Sequence, residues 1–406
     1  MVVDDSVVVR RIVTEVLTAD PQIDLAGVAA NGRIALAKIP QINPDIVTLD
    51  VEMPEMNGLE TLVELRKLYP KLPVIMFSTL TERGGATTLE ALARGASDYV
   101  TKPANVGSVN EAIQRLRAEM LPKIKGLCAH LIDAPRPPRM SEIAARVAAR
   151  DVESRRRPAL ADGRAPAGTA GTPLAALRGA ASRPPLRAGA TMVPARSSIL
   201  PGPLEVVVIG VSTGGPNALA ALIPALPADF PVPVLVVQHM PPLFTKLLAE
   251  RLTATSSLRA AEAFDGAVPG PGTLWIAPGD FHMTVLRNGG AAQGAVLKLN
   301  QDPPENSCRP AVDPLFRSAA QAFGPRALGV VLTGMGQDGL RGARSLVEVG
   351  ARVLAQDEAT SVVWGMPGYV ASEGLADKVL PLGEIAGEIR KRVYESRPLL
   401  AARAAG

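Results

Sequence analysis

Short apolar runs, each ending in a polar or charged residue, recur at both ends of this 406-residue chain and constrain its fold more than any other feature. Near the start, Val2-Val3 precedes Asp4-Asp5, 45–50 reads Asp-Ile-Val-Thr-Leu-Asp, and 73–78 reads Pro-Val-Ile-Met-Phe-Ser. A further run, 97–101, leads into Lys102-Pro103. Stretches of helical period lie between them, from 7–17 to a closing helix over 106–124. Continuous apolar runs suit strands buried on both faces, and strands alternating with helices predict a parallel sheet covered on both sides. The alternation resumes between 204 and about 394, with strand-like runs at 205–210, 232–238, 273–277, 328–333 and 352–356. Residues 281–286, Asn288-Gly289-Gly290 and 295–299 carry a hairpin pattern. The expected fold class is α/β: an N-terminal doubly wound domain, a disordered linker, and a C-terminal doubly wound, mostly parallel α/β domain.

Between these blocks the composition changes. Residues 134–200 hold twelve arginines, no lysine and four acids, with abundant Ala, Pro and Gly and only a weak helical stretch near 141–149. Such a segment buries too little apolar area to offset chain entropy and reads as a flexible linker. It also accounts for the net charge of +4, so no basic folded face is left for nucleic acid. The domain bounds expected are 1–122, a linker over 123–203, a second domain over 204–395, and a tail over 396–406. No apolar run reaches eighteen residues and no charged-then-apolar leader opens the chain, which argues against membrane insertion or secretion and for the cytoplasm. Cys128 and Cys308 are the two cysteines, too few for a disulfide framework.

In the first domain Asp4, Asp5, Asp50, Ser78 and Lys102 fall where strands end. In a doubly wound sheet those ends converge on one crevice. Clustered carboxylates there call for a hard divalent cation, and Mg²⁺ suits few protein oxygens and several waters. Asp50 could then attack a phosphoryl donor, Ser78 could bond a phosphoryl oxygen, and Lys102 could pair with the added charge.

In the second domain Gly210-Val-Ser212-Thr-Gly-Gly215 follows an apolar strand and precedes an Ala/Leu-rich helix. The glycines permit a sharp turn that exposes a serine. The spacing excludes a phosphate-binding Gly-Lys-Ser/Thr loop and a dinucleotide fingerprint. Of the three histidines, His130 lies at the linker edge, His282 lies in the hairpin where it packs or meets solvent, and His239 ends a strand. Asp338, in Thr333-Gly-Met-Gly-Gln-Asp-Gly339, follows another strand. Ser212, His239 and Asp338 form a candidate triad. Their order, Ser…His…Asp, differs from that of α/β-hydrolases, chymotrypsin and subtilisin.

These motifs carry a resemblance. Residues 1–122, with Val3-Asp4-Asp5-Ser6, Asp50-Val-Glu-Met-Pro54, Gly58 and Thr101-Lys102-Pro103, resemble the flavodoxin-like receiver domain of two-component response regulators. The resemblance implies phosphorylation of Asp50 by a histidine kinase, and Mg²⁺ held by Asp5 with Asp4, Asp50 and the Glu52 carbonyl. Receivers usually carry more chain before the paired acids, so this first strand is expected to be short of part of its length. Residues 204–394 resemble the catalytic domain of the chemotaxis protein-glutamate methylesterases, the CheB family. The matching stretches are 210–216, 236–240, 333–339 and Ser307-Cys-Arg-Pro-Ala-Val-Asp-Pro-Leu-Phe316. That resemblance implies hydrolysis of glutamate γ-methyl esters on methyl-accepting chemoreceptors, and deamidation of receptor glutamines. It assigns the oxyanion donor to the Met335 N–H and support of His239 to Thr213, with no cofactor in this domain. It also implies that the receiver covers the active-site edge until phosphorylated. Rival readings are the same fold and triad acting chiefly as a glutamine deamidase or on a non-chemotaxis receptor, a response regulator whose output is binding without esterase activity, and a scaffold built on the linker.

Overall fold

The computed structural model describes residues 1–103, 108–132, 202–287 and 294–397. The expected linker and its weak helix near 141–149 lie almost wholly outside the described residues. The described parts of Met1–His130 and Ser197–Gly406 fall in one compact unit.

The first sheet has five parallel strands in the order β2-β1-β3-β4-β5. These are β1 (Val2–Val3), β2 (Val28–Ala29), β3 (Val47–Asp50), β4 (Val74–Ser78) and β5 (Asp98–Thr101). The helices between them are α1 (Val7–Thr18), α2 (Gly32–Ile42), α3 (Gly58–Leu68) and α4 (Glu82–Ala93), and α5 (Val109–Leu127) closes the domain. A short helix, α6 (Ala129–Ile132), follows. Each of α1 to α5 begins at a polar residue whose side chain accepts a backbone N–H: Ser6, Asn31, Asn57, Thr81 and Ser108. At α3 the arrangement is reciprocal, because the Glu60 carboxylate also accepts the Asn57 N–H at 3.0 Å. The Ser108 cap starts α5 at Val109, later than the 106 expected from periodicity, and the helix runs to Leu127, past the expected domain end at 122. Strand β1 is only two residues long yet pairs on both sides, and the Met1 amino group donates to Ile46 O at 2.9 Å.

The second sheet has seven parallel strands in the order β14-β13-β12-β6-β7-β9-β8. They are β6 (Val206–Val211), β7 (Val234–Gln238), β8 (Arg259–Glu262), β9 (Thr273–Ile276), β12 (Ala327–Val331), β13 (Arg352–Gln356) and β14 (Lys378–Leu380). Strands β10 (His282–Arg287) and β11 (Ala295–Asn300) pair antiparallel as a separate hairpin, as the sequence implied; its turn lies outside the described residues. The helices are α7 (Gly215–Leu222), α8 (Phe244–Thr255), α9 (Val312–Phe323), α10 (Leu340–Glu348), α11 (Met366–Ser372) and α12 (Leu382–Glu395). Strands β6, β7, β12 and β13 are almost wholly buried, which is why their apolar runs are continuous. The periodic pattern did not flag β2, β8 and β14. They sit at sheet edges and are largely exposed or half-buried, so no apolar run marks them.

Both sheets reverse direction next to their central strands. In the first, the chain leaves β1 toward β2 and returns on the other side at β3. In the second, it leaves β6 toward β7 and returns at β12. A crevice opens at the carboxyl ends of strands at such a reversal, and side chains there converge.

Candidate active site and phosphoacceptor site

Asp50 ends β3 beside Asp4, which follows β1. One oxygen from each of Asp4, Asp5 and Asp50 lies within 4.8 Å of the others. Lys102 Nζ stands 2.8 Å from Asp50 Oδ1 and 3.1 Å from Asp4 Oδ2, and 5.5 Å from the centre of the Phe77 ring. Burial pushes the Asp50 carboxyl up to about 6; Lys102 opposes the shift and the Asp4 charge adds to it. Asp50 Oδ2 is buried without a hydrogen-bond partner among the described residues. An orphaned carboxylate oxygen in a cluster of acids fits a hard cation. Ser78 is fully buried, its hydroxyl turned toward the carbonyls of Thr79 and Gly84. The close packing of Gly58 brings α3 against the end of β3, since a Cβ there would lie 2.0 Å from the Asp50 carbonyl oxygen.

In the second domain the structure places Ser212, His239 and Asp338 after β6, β7 and β12, on one sheet edge. Ser212 occupies the turn into α7, where Gly214 has φ +79°. Its N–H donates to Thr333 O at 3.0 Å, and its carbonyl accepts from Gln238 Nε2 at 3.0 Å. Gly334 allows the β12 end to press on this turn, because a Cβ there would lie 2.8 Å from Ser212 Cβ.

His239 Nε2 and Asp338 Oδ2 are 2.7 Å apart. Asp338 also accepts the backbone N–H groups of Val312 (2.7 Å), Asp313 (3.0 Å) and Gly339 (2.9 Å), and Asn306 Nδ2 at 2.9 Å. The residue preceding α9, Ala311, offers no side-chain cap, so Asp338 caps that helix from outside, where the positive end of the helix favours a carboxylate. Burial works against its charge, but the imidazole and these donors hold the Asp338 carboxyl below the usual range.

The other imidazole nitrogen, Nδ1, is 3.5 Å from Cys308 Sγ. Burial disfavours the imidazolium. The Cys308 sulfur and the Asp338 carboxylate outweigh it and hold the His239 pKa up at about 10. Ser212 Oγ makes no hydrogen bond among the described residues. Catalytic hydrogen bonds often tighten only around bound substrate. His282 is buried, its Nε2 near Pro303 O and its Nδ1 accepting the Ala311 N–H, a packing role. Met335 is half-buried beside Gly126 of α5, where a Cβ would lie 2.7 Å from its sulfur.

Thr213 sits differently from the sequence expectation. Its hydroxyl donates to Asp98 Oδ2 of the first domain at 2.7 Å and makes no bond to His239 among the described residues. A carboxylate is the stronger acceptor. Sequence reasoning also missed Asn306, Cys308 and Gln238 as neighbours of the triad. Cys308 lies within the 307–316 stretch but carries no spacing signal of its own.

The family model for the response regulator receiver domain matches residues 1–114, and that for CheB methylesterase matches residues 207–389. A protein-glutamate methylesterase/protein-glutamine glutaminase of Trichodesmium erythraeum is 47% identical over 97% of this chain and 98% of its own length. One from a Nocardioides species is 48% identical over 98% of this chain and 96% of its own. The crystal structure of the Thermotoga maritima CheB methylesterase catalytic domain matches at 46% identity, covering 46% of this chain and 98% of that one, with a TM-score of 0.45. The chain belongs to the protein-glutamate methylesterase/protein-glutamine glutaminase family, a receiver domain joined to a CheB methylesterase domain, and is a carboxylic ester hydrolase.

Proposed function

We propose that this enzyme hydrolyses glutamate γ-methyl esters, and deamidates glutamines, on methyl-accepting chemoreceptors in the cytoplasm, under control of a chemotaxis histidine kinase. The observation that carries this reading is the 2.7 Å His239–Asp338 pair on the sheet edge that also bears Ser212. With Nε2 held by Asp338, Nδ1 is the nitrogen left to act as base. His239 exchanges Cys308 for Ser212 and takes the hydroxyl proton as Ser212 Oγ attacks the ester carbonyl. The proton passes to the departing methoxide, giving methanol and an acyl-serine, which water then cleaves by the reverse relay. Asp338 fixes the tautomer and stabilises the imidazolium. The Met335 N–H, which makes no hydrogen bond among the described residues, supplies the oxyanion donor; such donors lower barriers by about 3–4 kcal/mol.

In the receiver, Asp50 accepts the phosphoryl group. Asp4, Asp5, Asp50 and the Glu52 carbonyl would hold Mg²⁺, which when bound offsets the charge of the acids and the incoming phosphate. Phosphorylation draws Lys102 from its two carboxylate partners toward the new charge, and Ser78 turns from Gly84 toward a phosphoryl oxygen. Contacts of the receiver with Thr213 and Met335 support an unphosphorylated state in which the active-site edge is covered.

The test is methanol release from methylated receptor membranes. Ser212→Ala and His239→Gln should lose several orders of magnitude in kcat, while His282→Gln retains activity if it folds. Ser212→Ala activity within about tenfold of wild type overturns the assignment.

A further inference from the structure

We infer that Asn306 is a positioning residue of the esterase, acting through Asp338 and keeping a second buried acid, Asp313, from competing with it. The inference rests on the Ser212–His239–Asp338 reading above. Asn306 and Ser307 are the two central residues of a tight turn closed by reciprocal bonds between Glu305 and Cys308 (2.8 and 3.1 Å). Both have left-handed φ, +51° and +63°, a conformation Asn adopts more readily than most residues. Outside the turn, the Glu305 carboxylate binds Arg317 of α9 through two bonds of 2.5 and 2.9 Å. The turn is therefore fixed to the helix whose first turn Asp338 caps.

From this turn the Asn306 amide nitrogen donates to Asp338 Oδ1 at 2.9 Å and to Asp313 Oδ2 at 3.0 Å. An amide NH₂ carries two hydrogens, so each carboxylate receives one. Asp313 is fully buried, and its other oxygen accepts the Gly342 N–H at 2.7 Å. Two carboxylates sharing a buried site cannot both stay ionised without donors between them. Burial already pushes the Asp313 carboxyl up, and the Asp338 charge adds to that. Without the amide, Asp338 loses its one side-chain donor besides His239 and faces Asp313 directly. The carboxylate that orients the imidazole through Oδ2 then has a second low-energy arrangement, in which its Oδ1 shares a proton with Asp313. The same turn places Cys308 on the other imidazole nitrogen, so one short loop touches the general base and the carboxylate that orients it.

The charged and titratable groups facing this amide are Asp338, Asp313, His239, Cys308 and the Glu305–Arg317 pair, with His282 beyond Glu305. Two variants separate backbone from side chain. Asn306→Gly keeps the left-handed turn and deletes the amide. Asn306→Asp keeps shape and turn but donates only while protonated. In the full-length protein, stimulated with acetyl phosphate and Mg²⁺, methanol release is measured alongside thermal melting. Asn306→Gly should lower kcat about 10–100-fold with KM changed less than about twofold. The activity of Asn306→Asp relative to wild type should fall as pH rises from 6 to 8.5, because ionisation removes the donor and adds a third negative charge. Should Asn306→Gly fail to fold, the pH trend of Asn306→Asp still decides. Both variants within twofold of wild type, with a flat ratio across pH, overturn the inference. Ser212→Ala run in parallel separates the two failures. If it stays active, the triad reading falls; if it is dead while the Asn306 variants are normal, only the role of Asn306 falls.

Discussion

Thr213 donates a 2.7 Å hydrogen bond to Asp98, so the residue after the candidate nucleophile is tied to the first residue of β5 in the receiver. Asp98 is buried and also lies 3.3 Å from Lys123 Nζ of α5. One residue along, Tyr99 stacks on Phe244 of α8, with ring centres 4.9 Å apart and planes 6° from parallel. Arg251 of α8 donates to Leu89 O of α4, and a Cβ on Gly85 would lie 2.7 Å from Leu247. The receiver face formed by α4, β5 and α5 thus contacts both the serine turn and the helix beside it.

If this contact restrains the esterase, loosening it should release activity without any phosphodonor. Phe244→Ala removes the aromatic stack, and Asp98→Ala removes the acceptor of Thr213. Each is expected to raise methanol release by the unphosphorylated full-length protein, within the roughly 5–150-fold range of a typical coupling free energy. Stimulation by acetyl phosphate should shrink by the same factor, because part of the restraint is already gone. Unchanged basal activity in both folded variants would mean that the contact does not gate the enzyme.

Much of this was legible because buried parallel strands write themselves as apolar runs, and a doubly wound sheet gathers the polar residues at their carboxyl ends. Asp50, Lys102, Ser212, His239 and Asp338 could each be named from a strand end. Partners supplied by docking or by irregular backbone could not. Asp98 looks like one more strand residue until the receiver meets Thr213. Asn306 and Ser307 turn the chain with left-handed φ but without glycine, so no local signal marks the turn that brings Asn306 to Asp338 and Cys308 to His239. Edge strands such as β14 were missed for a related reason: half-exposed, they need no apolar run.

Cys308 should set the pH range of the enzyme and its sensitivity to thiol reagents. With its pKa held up at about 10 by a neighbouring sulfur and carboxylate, His239 is mostly protonated at neutral pH, so only a small fraction is free to accept the Ser212 proton. Cys308→Ala should move the acidic limb of kcat/KM to lower pH, toward the ordinary histidine range near about 6.5. The stability sign is fixed by the same shift. A folded-state pKa above the unfolded value gives stabilisation that is complete below about pH 6.5 and lost as pH rises through about 10. Thermal melts from pH 7 to 10 should therefore fall more steeply for wild type than for Cys308→Ala. Iodoacetamide adds a second readout. Alkylation of the Cys308 sulfur beside His239 displaces iodide and leaves a carbamidomethyl group on the nitrogen side that Ser212 needs. Cys128 is buried, its thiol pushed up to about 11 mainly by desolvation and next by the Asp45 charge, and should react slowly. Peptide mass mapping should find label on Cys308 in step with lost activity, and Cys308→Ser should resist both. Inactivation that tracks Cys128, or a pH limb unmoved in Cys308→Ala, would contradict this account.

Gly58 offers a test of the receiver that leaves every charged group in place. It opens α3, and a Cβ there would lie 2.0 Å from the carbonyl oxygen of Asp50 and 3.0 Å from Val51 Cα. These are backbone atoms of the strand end that carries the candidate phosphoacceptor Asp50, so no side-chain rotation can relieve the clash. Gly58→Ala must displace either α3 or the β3 end, where the Gly58 N–H also donates to Val51 O at 3.0 Å. Overpacking of this kind costs about 1–3 kcal/mol, visible as a lower melting temperature of the receiver. The displaced strand end carries Asp50 away from the 2.8 Å contact with Lys102 and from its neighbours Asp4 and Asp5. Stimulation of methanol release by acetyl phosphate and Mg²⁺ should then be largely lost. Basal activity should persist, because Ser212, His239 and Asp338 all lie on the other sheet. Full stimulation in Gly58→Ala with an unchanged melting temperature would show that α3 can move aside without disturbing Asp50.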